Sequence, residues 1–227
     1  MDALFKHLQG FDTPTIVNAL EIVRGSRFAT GFTRQRLIAC NDKLPPIVGY
    51  ARTASIRSST PFDAASRKEK LLAYYDHVAA APGPTVTIIQ EVDHQPGVGA
   101  FWGEVNTNVH WGLGCKGAVT NGSMRDLDAM NPQFLCLAAT LSPSHAWVQV
   151  VDVGQRVDVL GMVVVPNDLV HADRHGAVVF TPAEAEKLPA AIDLMARKEK
   201  VMLDAARAPG FNPQKIREAM AEMERIK

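Results

Sequence analysis

Two rhythms of apolar and polar positions run through this chain, and each assigns a kind of element. The slower one opens at residues 13–25, where Ile16, Leu20 and Val23 recur at helical spacing before Gly25 stops the run. Three helix starts share one device, Thr13-Pro14, Thr60-Pro61 and Thr181-Pro182, in which the hydroxyl can cap and the proline presets φ. At the third, Glu184 stands three residues after Thr181 and completes a capping box, heading a segment that reaches about Arg207 and is interrupted by Pro189. Asn212-Pro213 opens a final helix, with Ile216, Met220 and Met223 predicted on one face. Between these segments the rhythm shortens. Runs at Ile47–Ile56, Thr85–Gln90, Lys116–Thr120, Trp147–Val151, Met162–Val165, Leu169–Ala172 and Ala177–Phe180 predict strands.

Turn chemistry separates the strands, at Ala81-Pro82-Gly83-Pro84, Asn121-Gly122, Pro166-Asn167-Asp168 and Arg174-His175-Gly176. The dense third quarter predicts hairpins rather than repeated βαβ units. With no internal repeat or linker, residues 1–227 are expected to form one α/β domain with C-terminal helices from about residue 182.

Composition narrows the partners. Apolar residues make 47% and charged residues 21% of the chain, ordinary for a globular protein. The charges balance, 24 basic against 24 acidic, so the basic stripe that a phosphate backbone requires is missing and no nucleic-acid ligand is expected. Three widely spaced cysteines, Cys40, Cys115 and Cys136, fit neither a disulfide framework nor a paired zinc pattern and suit a reducing compartment. Lys6 and His7 interrupt the apolar run near the N-terminus, and no apolar stretch reaches the roughly 18 residues of a membrane span. A cytoplasmic protein without membrane contact is the expectation.

The densest chemistry lies in Trp102–Asp128, WGEVNTNVHWGLGCKGAVTNGSMRDLD. Gly103 reads as a point of close backbone approach, Glu104–Trp111 as a short helix, Lys116–Thr120 as a buried strand, and Asn121-Gly122 as a turn that delivers Ser123–Asp126 to the sheet edge. A helix that begins after glycine offers free N–H groups, suited to a carboxylate or phosphate of a substrate. Arg125 adds a fixed cation, and Asp126 one hard oxygen for a divalent metal that takes its other positions from water and substrate. Taken alone, an Arg-Asp dipeptide is an ordinary surface ion pair. Lys116 is the one candidate for a Schiff-base lysine, a role that needs strong desolvation. His171, Asp173 and His175 alternate like metal ligands but fit a polar hairpin better. Cys115 reads as a buried small residue, and Trp102 and Trp111 as packing for the short helix, with Trp102 also placed to line a pocket.

The block resembles the family of the regulator of RNase E activity A and of the 4-hydroxy-4-methyl-2-oxoglutarate and 4-carboxy-4-hydroxy-2-oxoadipate aldolases, the RraA-like family. Gly103, Glu104, Gly114, Gly117, Val119, Gly122, Arg125 and Asp126 match its G-E…G-x-x-G-x-V-x-D-G-x-x-R-D pattern. Gly49–Ala54, the turn at Ala81-Pro82-Gly83, Val164–Val170 and Ala172–Val178 are similar to its other motifs, with Asn121 and Asn167 standing where aspartate and glycine are usual. The resemblance implies a compact αββα sandwich of the swivelling β/β/α type that forms trimers or paired trimers. It also implies a magnesium- or manganese-dependent aldolase acting on a small oxo acid, cleaving a 4-hydroxy-2-oxo acid to pyruvate, with oxaloacetate decarboxylation as a side activity. In that scheme Asp126 holds the metal, Arg125 and Glu104 are catalytic, residues 103–106 and Arg125 bind substrate, and Glu199 approaches from a neighbouring subunit's C-terminal helix. Glu104 departs from the aspartate usual in the aldolases. The alternative the family allows is a non-catalytic regulator that binds an RNA-processing endonuclease.

Overall fold

The computed structural model describes residues 1–81 and 83–227; Pro82, inside the turn expected at 81–84, lies outside the described residues. The first half of the chain gives α1 (Asp2–Leu8), α2 (Thr13–Arg24), β1 (Ile38–Ala39), β2 (Ile47–Arg57), α3 (Ala64–Ala79), β3 (Thr85–Glu91), β4 (Ala100–Trp102), α4 (Glu104–Gly112) and β5 (Cys115–Met124). The second gives β6 (Leu135–Leu141), β7 (Gln149–Val153), β8 (Val157–Val159), β9 (Met162–Val164), β10 (Leu169–Asp173), β11 (Gly176–Phe180), α5 (Pro182–Ala185), α6 (Leu188–Arg207) and α7 (Pro213–Arg225).

One mixed, curled sheet organises these elements, in the order β1-β6-β5-β3-β2-β10-β11, with β4 added to β5 and β7 to β2. Its centre, β2, β3, β5 and β6, is parallel and β4 joins β5 in the same sense, while β1, β7, β10 and β11 pair antiparallel. Parallel neighbours need a crossover, which α3 supplies between β2 and β3 and α4 between β4 and β5. Because both faces are covered, β2 is buried along nearly its whole length instead of alternating. The β8–β9 ribbon closes one face, packing Val157, Val159 and Met162 against Ala51, Val86 and Ile88. Tyr74 and Val78 of α3 close the other over Ala54, Ile56 and Ile89. The helices α1, α2, α5 and α6 bury Phe5, Ile16, Leu20 and Ile192 over the β10–β11 end. No helix among the described residues is long and apolar enough to cross a membrane.

Several local expectations shift. Asp12, not Thr13, caps α2, and the Thr13 hydroxyl turns inward to His171 Nδ1 at 2.9 Å. Asp63 rather than Thr60 caps α3, accepting from the Ser66 N–H. The capping box at Thr181 forms with Glu184, and the chain breaks before Pro189 so that α6 begins anew at Leu188. In α7 the covered face centres on Ala219, and Met220 is exposed. Asn121-Gly122 is not a turn: β5 runs on to Met124. The Asn121 amide stands in for strand backbone there, accepting from the Glu91 N–H at 2.7 Å and donating to the Glu91 carbonyl at 2.9 Å. Gly122 beside it leaves room for the buried Glu91 carboxylate, whose Oε2 would lie 2.6 Å from a Cβ at this position.

Candidate active site at the start of helix α4

The site forms where β4 joins the end of β5. The Arg125 N–H donates to the Trp102 carbonyl at 2.9 Å, which brings the residues after Met124 against the residues before Glu104. Gly103 sits at the junction in an extended conformation, and a Cβ on it would fall 2.6 Å from Asp126 Oδ2 and 3.3 Å from Arg125 Cγ. That close approach is the physical content of the Gly-Glu pair. Gly103 has no side chain to cap α4, and Asp126 does so from another element, its Oδ2 lying 3.4 Å from the Glu104 nitrogen. Asp126 takes a left-handed backbone, φ 55°, which aspartate tolerates better than most residues. Its carbonyl then accepts from the Ala129 and Met130 N–H groups at 2.9 and 3.0 Å, closing the turn that follows.

Charge is concentrated here. Arg125 Nε lies 3.5 Å from Asp126 Oδ2, and both side chains are about one-third exposed, 35% and 38%. The first-turn N–H groups of Val105 and Asn106 have no carbonyl available four residues back and form the positive end of the helix. The Glu104 and Val105 side chains face solvent. The Asn106 side chain is committed elsewhere, accepting from the Tyr75 hydroxyl at 3.0 Å and donating to the Phe101 carbonyl at 2.5 Å, so only its backbone N–H is available to a ligand. An open groove of about 830 Å³ begins one residue past Asp126, lined by Leu127, Asp128, Asn131, Arg36, Asp42 and His175, beside the dipeptide rather than over it.

Beneath this surface lies a support that sequence reasoning missed. Thr107 Oγ1 donates to the Gly103 carbonyl at 2.9 Å and accepts from the Asn131 N–H at 3.1 Å, tying the helix start to the loop after Asp126. His110, fully buried, has Nδ1 2.6 Å from the Asn106 carbonyl and Nε2 2.7 Å from the Tyr74 hydroxyl. Its pKa is lowered to about 4, because burial disfavours the charged ring more than the Asn106 carbonyl favours it. The ring is therefore neutral at pH 7, with Nδ1–H donating and Nε2 accepting. The spacing of Asn106 and His110, four apart on one helix, was the signal available in the sequence.

Other candidates resolve as follows. Lys116 lies over the Trp111 ring, 4.2 Å from its centroid, rather than in a desolvated pocket. Trp102 is fully buried against Phe101, His110 and Phe134 and lines no surface. Cys115 is buried. His171 and Asp173 are spent on the α1–α2 junction, through Thr13 and the Leu8 carbonyl, and Asp173 also accepts from His175. Among the described residues no group of three or more His, Cys, Asp or Glu side chains converges as a metal cage. Glu199 is exposed on α6, a helix packed on α2 and α7, and makes no hydrogen bond or ion pair to Arg125 or Asp126 among the described residues.

Fold and site define an α/β protein whose curled mixed sheet presents an Arg-Asp pair at the start of a helix. The chain belongs to the RraA-like family, described as Aldolase/RraA, which matches residues 13–179. No curated protein matches it in sequence. Similar solved structures include an uncharacterized protein from Pseudomonas syringae pv. tomato, 18% identical with a TM-score of 0.73, covering 98% of this chain and 94% of that one. Another, from a study of novel cellulases from microbes associated with the gut ecosystem, is 14% identical with a TM-score of 0.73, covering 88% and 86%. RraAS2 from Streptomyces coelicolor, described as an unusual member of the RNase ES inhibitor RraA family, is 20% identical with a TM-score of 0.67, covering 92% and 98%. At these identities the likenesses speak for the fold alone.

Proposed function

We propose that this protein is a divalent-metal-dependent aldolase that cleaves a 4-hydroxy-2-oxo acid to pyruvate plus an oxo acid or aldehyde, and that it decarboxylates oxaloacetate as a side activity. The observation that carries the reading is the convergence of the Asp126 carboxylate, the Arg125 guanidinium and the unfilled N–H groups of α4 within one accessible surface. A single accessible carboxylate suits magnesium or manganese, which keep several waters, and does not suit zinc, which takes three or four protein ligands. Asp126 would hold that ion, which supplies Lewis-acid polarisation of the 2-oxo group when bound.

The chain's own groups do the rest. The N–H groups of Val105 and Asn106 bind the substrate carboxylate at the positive end of the helix. Arg125 faces the oxygen on which negative charge grows as the C3–C4 bond breaks, where a charge-assisted hydrogen bond is worth most. Glu104 polarises a water that takes the C4 hydroxyl proton, and electrons from the broken bond flow into the pyruvate enolate. Loss of carbon dioxide from oxaloacetate gives the same enolate. The groove beyond Leu127 receives the departing half of the substrate. In this reading the chain assembles as a trimer or a pair of trimers in the swivelling β/β/α manner, and Glu199 of a second copy completes the site.

The test is pyruvate release from oxaloacetate and from 4-hydroxy-4-methyl-2-oxoglutarate, with magnesium, manganese or chelator. Metal-dependent release that Asp126→Ala abolishes is the expected result, and absence of release from both acids under either metal would overturn it. One observation favours a second reading, a regulator that binds an RNA-processing endonuclease: Glu104 stands where the aldolases this chain resembles carry aspartate. That reading expects no turnover and a complex with such an endonuclease.

A further inference from the structure

Arg52, in the middle of β2, is only 5% exposed, yet no carboxylate pairs with it among the described residues. Its Nη1 donates to Asn167 Oδ1 at 3.0 Å, while Nε is buried with no partner among the described residues. A covered cation without a counter-charge is among the costlier things a fold can keep, and native chains generally give such a group an anion. Alternation along β2 aims it: Ala51 packs under the β8–β9 ribbon and Ala54 and Ile56 under α3, so Arg52 points to the α3 side.

There it meets His77 of α3, whose Nε2 is likewise buried without a partner among the described residues. The His77 ring lies against Gly154, where a Cβ would be 3.4 Å from Cε1, and the Gly154 N–H donates to the Thr53 carbonyl next to Arg52. Burial and then the charge of Arg52 push the His77 pKa down, which places the two groups in one electrostatic environment. Asn167 adopts φ 72° in the turn before β10, and this conformation turns its side chain onto Nη1. The remaining Nε edge of a guanidinium is the one that meets two oxygens of a carboxylate or phosphate side-on.

The location is separate from the aldolase site. Arg52 is in register with Thr87 of β3, and Thr87 with Ala118 of β5, whereas Arg125 lies seven residues further along that strand, roughly 20 Å away at about 3.3 Å per residue. We propose that Arg52, His77 and Asn167 form a second site that binds a small oxyanion, a carboxylate or phosphate group, at the part of the Arg52 guanidinium that Asn167 leaves unpaired. It stands independently of the aldolase reading.

Thermal unfolding in inorganic phosphate, in acetate and in chloride at matched ionic strength tests this, comparing wild type with Arg52→Met and with Arg197→Met as an exposed control. Phosphate or acetate at about ten times its Kd is expected to raise the wild-type and Arg197→Met Tm by about 3–5 °C over chloride, and to leave Arg52→Met unmoved. Which anion acts distinguishes phosphate from carboxylate. Proton–nitrogen spectra of the wild-type arginine Nε–H groups give a readout that needs no variant to fold: the Arg52 signal is expected to move and saturate with the anion. No Tm rise and no Arg52 signal change with either anion would overturn the proposal, as would an equal rise in Arg52→Met. Dissociation of an oligomer by Arg52→Met, with no response to either anion, would also overturn it and assign the counter-charge to a second copy.

Discussion

Replacing Gly103 by alanine separates the stability of this fold from the chemistry proposed for it. The glycine is extended, so alanine meets no backbone penalty, and the loss of unfolded-state freedom favours the variant by about 0.4–1 kcal/mol. The added Cβ would stand 2.6 Å from Asp126 Oδ2 and 3.3 Å from Arg125 Cγ. The first contact must open by about 1 Å to reach ordinary van der Waals separation. Its target is the far end of a side chain that is 38% exposed, so the carboxylate can swing aside at little cost in stability. The net stability change should stay within about 1 kcal/mol. A functional carboxylate displaced by about 1 Å is a different matter, and a loss of about 100-fold in kcat/KM for metal-dependent pyruvate release is expected. Urea unfolding and a lactate-dehydrogenase-coupled assay on the same preparation measure both quantities. Wild-type turnover in a folded Gly103→Ala protein would refute the reasoning, since the dipeptide's position would then be irrelevant to activity.

Stability should fall in acid for a stated reason. Burial holds both His110 and His171 at about 4, against about 6.5 when unfolded, so the unfolded chain binds more protons between those values. Tm is expected to be flat above pH 6.5 and to drop as the pH falls towards 4, by the equivalent of up to about 3 kcal/mol for each histidine. Glu91, whose buried carboxyl titrates above its ordinary value, works in the opposite sense, and a Tm that rises through this range would contradict the account. Tyr74→Phe leaves His110 Nε2 a buried acceptor without a donor and should cost about 1–3 kcal/mol by urea unfolding. Glu104→Asp restores the acid length usual in the aldolases and should raise turnover of 4-hydroxy-4-methyl-2-oxoglutarate; an unchanged or lower rate would remove Glu104 from the proton-transfer role.

Much of this arrangement is readable in one dimension. Gly103-Glu104 and Arg125-Asp126 are spaced so that a helix and a strand return them to each other, and the capping box at Thr181 and the cap at Asn212 form as written. What escapes sequence reading escapes for physical reasons. The run Leu135–Leu141 has helix-favouring leucine and alanine and little β-branching, and becomes β6 because β5 offers it a partner edge. Asn121-Gly122 has turn chemistry, but a side-chain amide can also imitate a peptide group, and which occurs depends on Glu91, thirty residues away. Thr60-Pro61 loses the start of α3 to Asp63, a cap of equal quality three residues on. The proposed Glu199 contact depends on another molecule and has no signature within one chain.

The cap that Asp126 provides to α4 gives one oxygen two duties. If the proposed cation binds that carboxylate it would compete with the Glu104 N–H, and occupancy and fraying of the helix end would then be linked equilibria. Backbone hydrogen exchange at Glu104 thus reports filling of the site without substrate or turnover: its protection should weaken as the cation is added. Asparagine at position 126 divides the duties, because its amide oxygen can still accept from the helix while the charge that attracts the ion is gone. Such a chain would keep an ordered, closed helix end yet be indifferent to metal, a molecule in which the scaffold has outlived the chemistry proposed for it.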